Sequence, residues 1–246
     1  MQNIKPVELS DMASIKEKFL PYLAEIRKRI VFTISAFVIA TISGFIFYEQ
    51  IIKILIKAFS LEGINIVFTS PFQFINLAIS VGISTGLVVS FPLLVGQVIF
   101  FLKPALKKKE YKIITRFLPF SFLLFLVGFI FGLIIMKWQI EIFLARAASL
   151  GIGNILDISG LLTTVFLTSA LLGIGFQFPI ILLLLLRIGI IKHDQLSKKR
   201  KWVYIGSLIF AMLLPPDSIL ADIILTMPLV ILFEFTLILN RILGRK

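Results

Sequence analysis

Six apolar stretches alternate with short polar ones along the chain. They run from about Val31 to Phe47, Phe74 to Leu102, Ile113 to Met136, Leu161 to Leu186, Trp202 to Leu214 and Ile219 to Leu239. A helical span needs about 20 apolar residues to cross roughly 30 Å of hydrocarbon. The second, third and fourth stretches meet that length, and the first meets it if Tyr48 to Ile52 extends it. The fifth does not: Lys201 to Pro215 rises only about 21 Å as a helix before Pro215 and Pro216 stop it. The pattern predicts an all-α polytopic membrane protein with six transmembrane helices, the last two short. Irregular polar backbone at membrane depth is stable only beside protein or water. The short hairpin is therefore expected to end within the bilayer's depth.

Residues 1–30 form a mixed, mostly basic segment ahead of the first stretch. Tyr22, Leu23, Ile26 and Ile30 recur at helical spacing, while Glu25, Lys28 and Arg29 fall on other faces. This predicts an interfacial helix leading into the membrane, with Pro21 in its first turn. The expected organisation is a cytoplasmic amphipathic segment (1–30), a single six-helix transmembrane domain (31–242) and a cytoplasmic tail (243–246). No small-residue cleavage site follows the first apolar run, so no cleavable signal peptide is expected. Ala78, Gly82, Gly86 and Ser90 recur every four positions, as do Gly128 and Gly132. Such stripes let helix backbones approach closely in lipid. The chain shows no internal repeat.

Composition agrees with the pattern and excludes alternatives. Of 246 residues, 59% are hydrophobic and 15% charged, and the mean hydropathy is +1.04. Soluble domains run about 45–50% apolar and about 25% charged, and a soluble fold of this size could not hide the excess. A soluble enzyme, a disulfide scaffold and a disordered chain are set aside. The net charge of +12 then acts as a topology signal. Of the 25 Lys and Arg residues, 21 lie before the first stretch, between the second and third with its flanks (Arg116 included), between the fourth and fifth, or after the sixth. That asymmetry places both termini in the cytoplasm and requires no nucleic-acid partner.

Cysteine is absent and His193 is the one histidine. No catalytic set, cofactor or metal is expected. The informative groups are scarce acids and buried-looking amides. Glu25 and Glu110 stand among lysines and arginines on the basic side. Spacing alone explains them as an i,i+4 pair with Arg29 and as charge relief among lysines. Gln177 lies ten residues before Arg187, roughly 15 Å deep. There it needs hydrogen-bond partners, from a neighbouring helix or from a partner's transmembrane helix. Glu234, seven residues before Arg241, either snorkels towards it or serves a function. Asp217 suits the N-cap of the sixth helix.

Taken in order, the motifs resemble the TatC family, the polytopic receptor of twin-arginine protein translocation. Tyr22-Leu23-Ala24-Glu25-Ile26-Arg27-Lys28-Arg29-Ile30 is similar to its H-L-x-E-L-R-x-R-L segment. Thr69-Ser70-Pro71, Phe91-Pro92 through Gln97, and Lys103-Pro104-Ala105-Leu106 to Glu110 resemble its next motifs. Gly175 to Pro179, Lys199-Arg200-Lys201, Leu214 to Asp217 and Pro228 to Glu234 resemble the rest. The resemblance implies a signal-peptide receptor and core subunit of a translocase that exports folded proteins using the proton-motive force. It implies peptide binding by Glu25, Arg27, Pro104, Leu106 and Glu110, and partner or intramembrane polar contacts by Pro71, Gln97, Gln177, Asp217 and Glu234. Implied partners are TatA- and TatB-type single-span subunits, twin-arginine signal peptides and the bilayer, in an oligomer. The implied location is the bacterial inner membrane, with a thylakoid or mitochondrial inner membrane as the alternative. A guanidinium fork matches a carboxylate in a bidentate way that lysine cannot copy, and a basic surrounding rejects unspecific cations. The chain departs from the family at Tyr22 (histidine), Gln73 (glutamate), Leu214 (threonine) and Gln177 (glutamate). Gln177 cannot titrate, so no proton relay is expected there. A proton- or ion-coupled small-molecule transporter is the competing reading; it would want a charged midplane site and repeat symmetry.

Overall fold

The structure is a computed structural model and describes residues 6–59, 65–67, 70–101, 103, 106–116, 118–151, 155–191, 193–215 and 219–243. These form α1 (Pro6–Ile46), α2 (Tyr48–Ala58), β1 (Asn65–Val67), α3 (Gln73–Phe101), α4 (Lys108–Arg116) and α5 (Leu118–Ser149). They continue as β2 (Ile155–Asp157), α6 (Ile158–Gly175), α7 (Phe178–Ile188), α8 (His193–Lys198), α9 (Arg200–Met212) and α10 (Ile219–Leu243). In hydrocarbon no water satisfies backbone N–H and C=O groups, so apolar stretches close their hydrogen bonds internally as helices. Five helical stretches are long and apolar enough to cross a membrane: Ala24–Ile46, Gln73–Phe101, Leu118–Ser149, Ile158–Leu186 and Ile219–Ile242. The fifth apolar stretch is α9, short as expected at 13 residues.

Several boundaries differ from the sequence reading. The sixth helix is not short: α10 has 25 residues and runs through Pro228 to Leu243, because the helix continues until Arg241 reaches polar surroundings. Helix α1 is continuous for 41 residues, so the backbone has no break at residue 30 and Pro21 sits in the helix interior. Tyr48 to Ile52 do not lengthen the first span. The chain breaks at Phe47, and α2 is a separate amphipathic helix with Ile52 and Leu55 buried and Lys53 and Lys57 exposed. Its buried face joins Leu77 of α3, Met136 of α5 and Leu162 of α6. Lys137 Nζ donates to the Ala58 carbonyl at 2.8 Å, covering the C-terminal end of α2. Helix α5 continues past Met136 to Ser149. The fourth stretch is broken at Phe176–Gln177, since Pro179 near the start of α7 has no N–H to continue the ladder.

The helices pack through the predicted small-residue stripes. A Cβ on Gly82 would lie 2.8 Å from the Thr41 carbonyl of α1, and one on Gly132 would lie 2.6 Å from Ser169 Cα of α6. Outward faces carry Ile39, Ile134, Ile223 and Ile231, all exposed, as lipid contact requires. Among the described residues, one small addition joins the helices: β1 and β2 pair in parallel, Ile66 opposite Leu156. Asp157 then caps α6, accepting from Ser159 N at 3.1 Å and Gly160 N at 3.2 Å.

Two apolar clusters define the other end. Val95 and Ile99 of α3 meet Leu106, Ile180 and Leu184, while Leu182 meets Leu196, Phe233 and Leu237. Hence the C-terminal ends of α3, α7 and α10 share one end of the bundle. Arg29 of α1 reaches Gln97 near the end of α3, which brings the basic half of α1 to the same end.

Candidate functional site

The basic end holds a three-residue polar cluster. Glu25 and Arg29 stand one turn apart on α1, so their side chains share a face. Arg29 Nη2 donates to Glu25 Oε1 at 2.5 Å. Arg29 Nη1 donates to both oxygens of Gln97 on α3, the backbone carbonyl at 3.1 Å and Oε1 at 3.0 Å. One guanidinium thus ties the two helices together. The Glu25 side chain remains 45% exposed and that of Arg29 22%. Arg27 and Lys28 are exposed beside them. Arg29 Nε is buried with no hydrogen-bond partner among the described residues. Below the cluster, a cavity of about 390 Å³ opens between α1 and α3, lined by Ile26, Ile30, Leu94, Val98 and Phe101 among others.

Leu106 is buried and anchors the turn between α3 and α4 against Ile99 and Leu184. Lys103 Nζ lies 5.6 Å from the centroid of the Tyr111 ring, a cation–π contact that holds the start of this turn to α4. Glu110 lies in the first turn of α4; its side chain, and Pro104, lie outside the described residues, as does Asp217. Pro71 is exposed in the turn that leads into α3.

Gln177 sits at the break between α6 and α7 and is 0% exposed. Its Oε1 accepts from Ser121 Oγ at 2.5 Å, and its Nε2 donates to the Ser121 carbonyl at 2.8 Å. Both ends of the amide are therefore used within the bundle, between α5 and the fourth span. This geometry favours the helix-packing alternative for Gln177 over the partner-helix one. Glu234 does not turn to Arg241. Tyr204 donates its hydroxyl to Glu234 Oε1 at 2.5 Å, and Arg200 Nη2 lies 3.4 Å from Oε2. The acid joins α10 to α9 across the short hairpin.

Sequence reasoning had named Glu25 with Arg29 as a pair but had not joined them to Gln97. It also missed Ser121, Tyr204 and Arg200 as partners. A polar residue inside an apolar run signals that a partner exists, as Gln177 did. The partner's identity depends on which helices adjoin.

The model of the family described as Sec-independent protein translocase protein (TatC) matches residues 21–228. Sec-independent protein translocase protein TatCy of Bacillus subtilis (strain 168) is 32% identical over 234 residues, spanning 92% of this chain and 90% of that protein. The TatC protein of Escherichia coli (strain K12) is 28% identical over 229 residues, spanning 92% of this chain and 88% of that protein. A crystal structure described as the twin arginine translocase receptor TatC in DDM superposes with a TM-score of 0.78 at 25% identity, covering 89% of this chain and 98% of the other.

Proposed function

This chain belongs to the TatC family of Sec-independent protein translocase components, and from that premise we propose that its basic end receives twin-arginine signal peptides through Glu25 and Glu110. The protein is a multi-pass membrane translocase component and not an enzyme. The observation that carries the reading is that the Glu25 carboxylate already holds a guanidinium at 2.5 Å. The site therefore has the donor–acceptor geometry that an incoming arginine needs. Glu25 is half-exposed and stands on a helix fixed to α3, so a peptide meets it with little reordering. Arg27 and Lys28 surround it with like charge, which weakens non-specific cationic segments. Glu110 supplies the second carboxylate, with Leu106 anchoring the turn that leads to it; Pro104 is proposed as a further contact.

TatA- and TatB-type single-span subunits are the proposed companions in an oligomer. Folded cargo then crosses on the proton-motive force. The proposed location is the bacterial inner membrane, in keeping with the bacterial origin of the relatives; thylakoid and mitochondrial inner membranes are the alternative. Both chain termini would face the cytoplasm.

The test is crosslinking of purified full-length protein to a signal peptide with a photo-reactive group beside its arginine pair. Glu25→Ala and Glu110→Ala should each lower capture of the twin-arginine peptide by about 10- to 100-fold, the worth of a hydrogen bond to a charged group. Unchanged capture in the double variant would remove both residues from the site.

A further inference from the structure

We infer that Arg29 is a built-in competitor for Glu25, occupying the carboxylate that an incoming arginine would take and thereby setting the threshold for cationic segments. The inference rests on the receptor reading of Glu25 and names the residue that tunes it. Arg29 carries the same head group as the proposed ligand. It contacts Glu25 Oε1 at 2.5 Å, with the acid N-terminal to the base at i,i+4, the favoured orientation on a helix. An arriving guanidinium must therefore exchange with a resident one.

Gln97 makes that exchange feasible. Releasing a partly buried guanidinium from its only acceptor would strand a charge. Here Nη1 keeps two acceptors on α3, at 3.0 Å and 3.1 Å, when Nη2 gives up Glu25. Nε is buried and unpartnered among the described residues, so the exchange breaks no bond there. Glu25, in contrast, is 45% exposed and open to solution on its other side.

Competition lowers every ligand's apparent affinity by the fraction of time that Glu25 is free. The reduction falls equally on arginine and lysine segments. A lysine makes a point contact and starts weaker, so the same reduction carries it below the working range while a twin-arginine segment stays within it. The ratio of the two affinities is set by the carboxylate contact itself; the competitor sets the concentration at which each segment occupies the site.

The experiment measures binding of fluorescent twin-arginine and twin-lysine peptides to the full-length protein in detergent, with melting temperature as a folding control. Arg29→Gln should tighten both peptides by roughly two- to fivefold, the worth of an ion pair near the surface. Gln97→Leu should do the opposite, because it removes the Oε1 acceptor and leaves Arg29 only the backbone carbonyl of residue 97, so Arg29 holds Glu25 harder. Neither effect should appear in a Glu25→Gln background. Unchanged or weaker binding in folded Arg29→Gln, tighter binding in Gln97→Leu, or a gain that persists without Glu25 would each overturn the competitor role. If Glu25→Gln alone leaves twin-arginine binding untouched, the receptor reading itself fails, and the competitor role with it.

Discussion

Replacing Gln177 with leucine isolates what a wholly buried amide contributes inside a membrane bundle. The change keeps apolar volume at the α6–α7 break and removes both links to Ser121, the 2.5 Å bond from its hydroxyl and the 2.8 Å bond to its carbonyl. Interhelical hydrogen bonds in lipid average about 0.6 kcal/mol and reach about 1.7. Two of them set a loss of roughly 1–3 kcal/mol. The Ser121 hydroxyl is itself buried and loses its acceptor, which pushes the loss to the upper half of that range unless it turns to its own helix. Thermal unfolding in detergent at one scan rate reads the effect, because membrane proteins unfold irreversibly and the rate matters. Ser121→Ala and the double variant complete a cycle. The two single losses should sum to more than the double loss, with a coupling of about 0.5–3 kcal/mol. Co-purification of a TatB-type subunit, normalised to folded protein, should be unchanged. An unaltered melting midpoint together with lost partner recovery would refute the reasoning, since Gln177 would then serve a partner helix rather than its own bundle.

Two further outcomes follow from packing and topology. Gly132→Ala should cost about 1–3 kcal/mol by overpacking, because its Cβ would stand 2.6 Å from Ser169 Cα; Gly206→Ala, whose Cβ meets nothing within 4 Å, should instead stabilise α9 by about 0.5–1 kcal/mol through helix propensity. Both are read from melting midpoints, and equal signs would contradict the packing. Reporter fusions after Lys246 and within residues 103–112 should read cytoplasmic, and fusions near Asn65 or Asn154 external; an external reading after Lys246 would overturn the six-span topology.

The spans were legible because hydrocarbon imposes one rule on them. A run such as Phe74 to Leu102 has no choice but helix, and α3 matches it within a residue at each end. The glycine stripes were legible for the same reason, since close approach in lipid needs small residues at four-residue spacing. What was not legible lay where polar groups mix with apolar ones. Helix α2 reads as a continuation of the first span until one sees that one face, with Ile52 and Leu55 buried, packs on the bundle while Lys53 and Lys57 stay exposed. The tail of α5 carries Lys137, Glu141 and Arg146, so hydropathy ends the span at Met136 while the helix goes on. In the site, Glu25 was visible as an acid among bases. Its link through Arg29 to Gln97 joins residues 68 positions apart, and no spacing rule reaches that far.

The same polar ties explain why a glutamine can stand at position 177. In lipid the apolar faces of helices gain little by meeting one another, so pairing depends on close packing and on polar contacts. This chain places one such contact at each level. Gln73 donates to Asp157 at 3.4 Å and joins α3 to the start of α6; Gln177 and Ser121 join the fourth span to α5; Glu234 and Tyr204 join α10 to α9; Arg29 and Gln97 join α1 to α3. Two of the four use glutamines where a family glutamate was expected, at positions 73 and 177. A neutral amide both donates and accepts, so it can close a pair with a single serine, whereas an ionised carboxylate only accepts and is costly to bury. The two glutamines therefore make these ties without a buried charge, and Glu25 and Glu110 are the carboxylates whose charge the proposed receptor needs.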